Sequence, residues 1–95
     1  MLEISISPEA ENDLAKIFQY TIHSFGAAQA DKYQDELYNG MLQISEFPKI
    51  GKNYSFGSYE YRFLHVNRHL LFYRLDRNVC LIVRVLHEKM SIENL

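Results

Sequence analysis

The chain has 95 residues, 47% of them apolar, and a formal net charge of −2. That length gives one domain with one core, and a domain so small buries only roughly two-thirds of its unfolded surface, so its stability margin is modest. Seven tyrosines and six phenylalanines exclude disorder, and the lack of an apolar run of about eighteen residues excludes a membrane-spanning helix. Position one opens a strand pattern instead of a charged segment followed by an apolar one, so no secretory signal is expected and the expected compartment is the cytoplasm. The single cysteine, Cys80, suits that compartment. It has no partner for a disulfide within the chain, and its mid-strand place marks it as packing rather than as a nucleophile.

The net charge conceals a division. Residues 1–48 carry two lysines and eight acids, for −6, whereas residues 49–95 carry eight lysines or arginines and four acids, for +4. Such asymmetry gives a folded domain a dipole and a basic face suited to an acidic partner or to nucleic acid. Eight dispersed cations on a slightly acidic chain fall short of a polybasic groove, so direct, specific DNA binding is not expected.

Leu2, Ile4 and Ile6 alternate with Glu3, Ser5 and Ser7, which predicts a short strand with one buried face. Ser7 then caps a helix that starts with Pro8, and Glu9 and Glu11 complement the dipole of its first turn. Apolar positions at Ala10, Leu14, Ile17, Phe18, Thr21 and Phe25 form one helical stripe, which Gly26 ends. A second stripe, Ala30, Tyr33, Leu37, Met41, Ile44 and Phe47, runs to Pro48 and makes the pair an antiparallel helical hairpin. Gly40 inside it costs about 1 kcal/mol against alanine, which points to close backbone approach against the first helix or the sheet. Tyr20 and Ile22 fall at the margin of the first stripe, and Tyr38 and Leu42 lie off the second. Each alone is an ordinary half-exposed side chain, but four together on one hairpin suggest a surface that a partner covers.

Residues 49–58 read as a loop between Gly51 and Gly57, and Tyr59 to Val66 as the next strand. Two runs of β-formers follow, 69–75 and 79–86, flanking Asp76, Arg77 and Asn78. That loop suits a tight hairpin with Asn78 in a left-handed conformation. The last run is apolar at nearly every position, so both of its faces are covered, one of them by the chain or by a partner. Strict alternation places Arg84 beside Cys80, Ile82 and Leu86. A guanidinium there either snorkels to the edge or pairs with a local carboxylate, or it contacts a partner or substrate. The predicted order is β-α-α-β-β-β, an α+β fold with a helical hairpin on a small antiparallel sheet.

Six segments taken together resemble the ParE toxins of the ParE/RelE superfamily: Ser7-Pro8-x-Ala10-x-x-Asp13-Leu14-x-x-Ile17, Phe25-Gly26-x-x-x-Ala30, Phe47-Pro48-x-Ile50-Gly51, Tyr61-Arg62, Phe72-Tyr73-Arg74 and Arg84-Val85-Leu86-His87-x-x-Met90. The resemblance runs from the first strand nearly to the last residue. It implies the toxin of a type II toxin–antitoxin pair that traps DNA gyrase on cleaved DNA and is neutralised by a small ParD-like antitoxin. It also implies a RelE/ParE-like fold, no cofactor and no chemistry of the chain's own. On those segments, Arg62, Arg84, His87, Lys89 and Met90 are the candidate gyrase contacts. Tyr20, Ile22, Tyr38 and Leu42 are the candidate antitoxin contacts, under an amphipathic helix continued by an extended segment that pairs with the sheet edge or covers the face of Arg84.

The superfamily also contains ribosome-dependent messenger-RNA endonucleases, which need a proton acceptor, a donor for the leaving oxygen and cations around the phosphorane. By the resemblance, such nucleases carry a basic residue at the start of the third sheet strand and a tyrosine in the tail. Here those places hold Leu70 and no tyrosine after Tyr73. His87, near Arg84 and Lys89, keeps the nuclease alternative open, although a second acid/base group is needed and Glu88 falls on the other face of a continued strand. His65 and His69 bracket a turn without a third ligand, so no metal site is expected. Neither a phosphate-binding glycine loop nor a nucleophile elbow is present in the sequence.

Overall fold

In a computed structural model, which describes residues 1–90, the chain orders as β1 (Glu3–Ile6), α1 (Pro8–Phe25), α2 (Ala27–Glu46), β2 (Lys52–Phe56), β3 (Tyr59–Val66), β4 (His69–Asp76) and β5 (Val79–His87). The strands form one sheet in the order β1-β5-β4-β3-β2, with β1 parallel to β5 and every other pair antiparallel. Both helices pack on one face of it. Ala10, Leu37, Met41 and Ile44 meet Leu71, Tyr73, Cys80, Ile82 and Val85 there, and all nine are buried.

The helical hairpin forms as its stripes require. Ser7 Oγ accepts the Ala10 N–H at 3.0 Å as N-cap and donates to Val83 O at 2.8 Å, tying the start of α1 to β5. Gly26, at φ 91°, ends α1 and begins α2 in a conformation that favours glycine. Gly40 makes its close approach to the sheet: a Cβ there would lie 2.7 Å from Val66 Cγ2 and 3.0 Å from Leu71 Cδ1. Two stripe members are left out of the core. Phe25 and Phe47 stand at the helix ends and are largely exposed.

Three expectations are corrected. First, residues 52–56, read as loop, form strand β2, which pairs with β3 from Lys52↔Phe63 to Phe56↔Tyr59. Its two flanking glycines delimit the strand: Gly57 takes φ 63° in the connecting turn, and Gly51 sits so close to Tyr73 and the Phe63 carbonyl that a Cβ would meet both under 3 Å. The sheet is therefore five-stranded, and with β1 parallel it is mixed rather than wholly antiparallel. Second, β4 and β5 pair as far as Asp76↔Val79, leaving a two-residue turn whose positive φ falls on Arg77 (56°), not on Asn78. The same first-residue pattern recurs at Asn67 (53°) between β3 and β4. Third, the register shifts within β5: Tyr73 opposes Ile82 and Phe72 opposes Arg84, so Val83 is the extra residue of a β-bulge. Beyond the bulge the parity inverts. Val85, not Leu86, joins Cys80 and Ile82 under the helices, and Arg84 leaves their face.

Candidate functional site

Two of the candidate contact residues, Arg84 and Arg62, have partners within the chain. Strand β1 covers the outer edge of β5 only as far as Ile82, and beyond that point α1 supplies the missing partner. Asp13 accepts the Val85 N–H at 2.9 Å and holds Arg84 with two charge-assisted bonds, Nε at 2.7 Å and Nη2 at 3.0 Å. The carboxylate bond raises the Arg84 pKa above its usual value. Of the readings open for Arg84, pairing with a local carboxylate is the one the structure displays. Arg62 is likewise engaged: its Nη1 donates to Gly51 O at 2.9 Å and Lys49 O at 3.3 Å. Tyr73 completes that anchor. Its hydroxyl donates to Pro48 O at 2.7 Å and accepts the Gly51 N–H at 2.9 Å, while burial pushes its pKa up. The chain that leaves α2 is thus pinned to the sheet.

The remaining tail candidates lie where β5 ends. His87 is half-buried, and its Nδ1 accepts the Lys89 N–H at 3.1 Å, which makes the neutral ring an Nε2–H tautomer. Lys89 and Met90 are exposed, Met90 by 48%. Segment 91–95 of the expected tail lies outside the described residues.

Beside His87 opens a cleft of about 870 Å³ between the helical hairpin and the ends of β4 and β5. Tyr20, Phe25 and Tyr33 give it aromatic walls, and Lys16 and Arg68 give it positive charge. His69 and His87 also line it, with their rings edge to face at 5.3 Å. Tyr33 Oη accepts the Arg68 N–H at 3.3 Å and lies 2.6 Å from His69 Nδ1. The satisfying arrangement is a hydroxyl that donates to an unprotonated Nδ1. Burial first, and the neighbouring His87 second, lower the His69 pKa to about 4, and burial raises that of Tyr33. The His69–Tyr33 pair is therefore neutral at neutral pH. Tyr33, Arg68 and His69 were missed as site residues in the sequence, because Tyr33 reads as one more member of an apolar stripe, Arg68 as a turn residue and His69 as the start of a strand, weighed only as a metal ligand.

The four surplus apolar residues are exposed, as their positions predict, but they do not form one set. Tyr20, 67% exposed, lines the cleft; Ile22 does not. Tyr38 and Leu42 stand one helical turn apart on α2, outside that cleft. His65 and His69 are separated by the sheet itself: His65 bonds Glu88 at 2.8 Å, and His69 bonds Tyr33 on the helix side. Among the described residues no group of three potential metal ligands occurs, and no helix is long and apolar enough to cross a membrane.

The model of the family described as ParE toxin of type II toxin-antitoxin system, parDE, matches residues 4–92. The protein called Toxin ParE1 from Mycobacterium tuberculosis (strain CDC 1551 / Oshkosh) is 33% identical over 89 residues, covering 93% of this chain and 91% of that one. Toxin ParE1 of Caulobacter vibrioides is 34% identical over 86 residues, 90% and 88% of the two chains. Among solved structures, a chain of the chromosomal ParDE system from P. aeruginosa superposes with a TM-score of 0.72 at 16% identity, covering 92% of this chain and 96% of that one. A chain of the YoeB–YefM toxin–antitoxin complex from Staphylococcus aureus gives 0.51 at 22% identity, covering 92% and 97%. The protein belongs to the ParE toxin family of type II toxin–antitoxin systems. The structural likenesses show the shared fold, a helical hairpin on a five-stranded mixed sheet.

Proposed function

We propose that the chain, acting as one toxin domain in the cytoplasm, inhibits DNA gyrase by binding and holding its cleavage complex, without covalent chemistry of its own. Family membership supports the target. The observation that carries the non-enzymatic reading is the engagement of Arg62 and Arg84. A nuclease would need both around a phosphorane, and here one anchors residues 49–51 while the other is clamped by Asp13. The His69 and Tyr33 pair beside His87 is neutral, which suits recognition better than proton transfer. His87, Lys89 and Met90 are then the contact residues proper, and Arg62 and Arg84 support the strands that present them.

The antitoxin reading divides in the same way. An antitoxin segment with apolar side chains and carboxylates fits the cleft of Tyr20, Phe25 and Tyr33 between Lys16 and Arg68, and an amphipathic helix fits Tyr38 and Leu42 on α2. Ile22 stands beside the first of these surfaces. Charge substitutions at Tyr38 and Leu42 are expected to weaken antitoxin binding at least tenfold; unchanged affinity removes that helix placement.

The deciding experiment is supercoiling of relaxed plasmid by purified gyrase with ATP, with and without the toxin, scored also for linear DNA after detergent and protease. Inhibition with linear product supports the reading, and deletion of residues 87–95 should then abolish inhibition while antitoxin binding persists. No inhibition at excess toxin, together with message cleavage in a translation extract that His87→Ala abolishes, replaces it with ribosome-dependent RNA cleavage.

A further inference from the structure

The sheet face turned away from the helices carries no helix among the described residues, and across β2 and β3 it is rich in rings. Alternation and register place Tyr54 and Phe56 of β2, Tyr59, Tyr61 and Phe63 of β3, and Phe72 of β4 on it. Ring contacts confirm the shared face: Tyr54 and Phe63 lie 6.0 and 5.5 Å from Phe72, and Tyr59 lies 6.2 Å from Tyr61. Phe72 is buried beneath its neighbours, whereas Tyr59 is 54% exposed and Phe56 is exposed beside it. Lys52 and Arg74 share the face, with the Arg74 guanidinium 5.1 Å above the Tyr59 ring.

A solvated β face alternates small polar and charged groups; this one offers flat π surfaces with cations between them. The ligand that satisfies both is an unpaired nucleotide, whose base stacks and whose phosphate meets a cation. A partner helix would need a groove to receive its side chains, and the cleft that offers one lies on the other side of the sheet, among helix residues and His69 and His87. Duplex DNA is a poor occupant, because its bases are already stacked on one another.

We propose that this aromatic face is a stacking platform for single-stranded nucleic acid, holding roughly two or three unpaired bases without reading their sequence. It goes beyond the gyrase reading and does not require it. Tyr59 and Phe56 supply the exposed rings, Tyr54 and Tyr61 flank them, Phe72 and Phe63 support them from within the sheet, and Lys52 and Arg74 neutralise phosphates.

The test is fluorescence anisotropy of labelled oligothymidylate and oligouridylate, each about a dozen nucleotides long to span one site, and of the matching duplex, titrated with the purified full-length chain at low salt. Saturable binding to the single strands, at least several-fold tighter than to duplex, is expected. Tyr59→Ala and Phe56→Ala should each weaken it by about tenfold, and Arg74→Gln should flatten the salt dependence by about 0.7 in log–log slope. Tyr59→Leu keeps apolar bulk without the ring, so loss of binding in that variant, with an unchanged thermal melt, separates stacking from folding. Preference for uridylate identifies RNA as the occupant, and preference for thymidylate identifies DNA.

Absence of binding overturns the proposal, as does equal affinity for duplex. Binding that ignores Tyr59 and Phe56 but falls with Arg68→Gln also overturns it, by moving the contact to the cleft. Should oligonucleotides fail while Tyr59→Ala weakens gyrase binding, the face is a protein contact instead. Gyrase is absent from the titration, so the failure of either reading leaves the other standing.

Discussion

Leu71 and Phe72 are neighbours on β4, both fully buried, and they are buried by different means. Leu71 lies under the helices among aliphatic side chains. Phe72 lies on the face without helices and is covered by rings from its own sheet, Tyr54 and Phe63. A layer of aliphatic side chains needs a second layer to exclude water from it. Aromatic rings on adjacent strands are large enough to lean across one another and bury a central member sideways. The two faces of one sheet thus show two ways to make a dry interior, and only the second leaves ring surfaces open for a ligand.

The sharpest test of that contrast is truncation of each neighbour. Phe72→Ala should cost about 3–5 kcal/mol and Leu71→Ala about 2–5 kcal/mol, measured by denaturant unfolding. A cost below about 1 kcal/mol for Phe72→Ala would mean that the aromatic face is surface decoration and not a second core. Asp13 is the next largest case, since it links the helix side to the edge of β5. Asp13→Ala takes the carboxylate away from a partly buried Arg84, whose side chain is 22% exposed, and removes the acceptor of the Val85 N–H. We expect a loss of about 2–3 kcal/mol, below the full penalty for a deeply buried charge. The double variant Asp13→Leu with Arg84→Met should recover most of it, and a double variant as unstable as the single would show that the Val85 bond matters more than the ion pair.

His69 provides a pH test confined to the helix side. Its folded pKa, about 4, lies below the ordinary histidine value of 6.5 because burial, and then His87, oppose the charged ring. The unfolded chain therefore binds the proton first. Stability from this group is complete above about pH 6.5 and falls progressively as the pH drops toward 4, by on the order of 1–2 kcal/mol after discounting for partial exposure. His69→Gln should flatten unfolding free energy between those pH values, and an unaltered slope would assign the acid sensitivity to other groups.

Much of this was legible in the sequence, and the misses have physical causes. The helices were readable because their caps and stripes agree: Ser7, Pro8 and Gly26 mark boundaries that the apolar period independently requires. Strand β2 was hidden because a short edge strand has little to bury on one side, and Asn53 and Ser55 look like loop. The facing of Arg84 was misassigned because the inserted Val83 inverts the alternation after Ile82, and a bulge leaves no mark in a continuous apolar run. Asp13 sits in the quoted family segment, yet its partner is 71 residues away, a distance that periodicity cannot bridge. The cleft has the same origin, with Tyr33 on α2 meeting His69 on β4.

Ser7 offers the smallest expected effect and a way to ask what maintains the inversion between the two faces. Its hydroxyl performs two tasks with different chemistry, accepting the Ala10 N–H as helix cap and donating to Val83 O at the bulge. Ser7→Ala removes both and should cost about 1 kcal/mol, the ordinary value for a lost cap. Ser7→Asp keeps the cap, and improves it electrostatically at the helix N-terminus, but a carboxylate cannot donate to the Val83 carbonyl and instead turns its lone pairs toward it. If the cap is what matters, the aspartate variant should equal or exceed the wild type in thermal stability. We expect it to fall between wild type and alanine, because the bulge carbonyl loses its donor in both variants. An aspartate variant as stable as wild type would show that the bulge holds without Ser7, leaving the pairing of β5 with β4 and the Asp13 bond to Val85 to set which side chains face the helices.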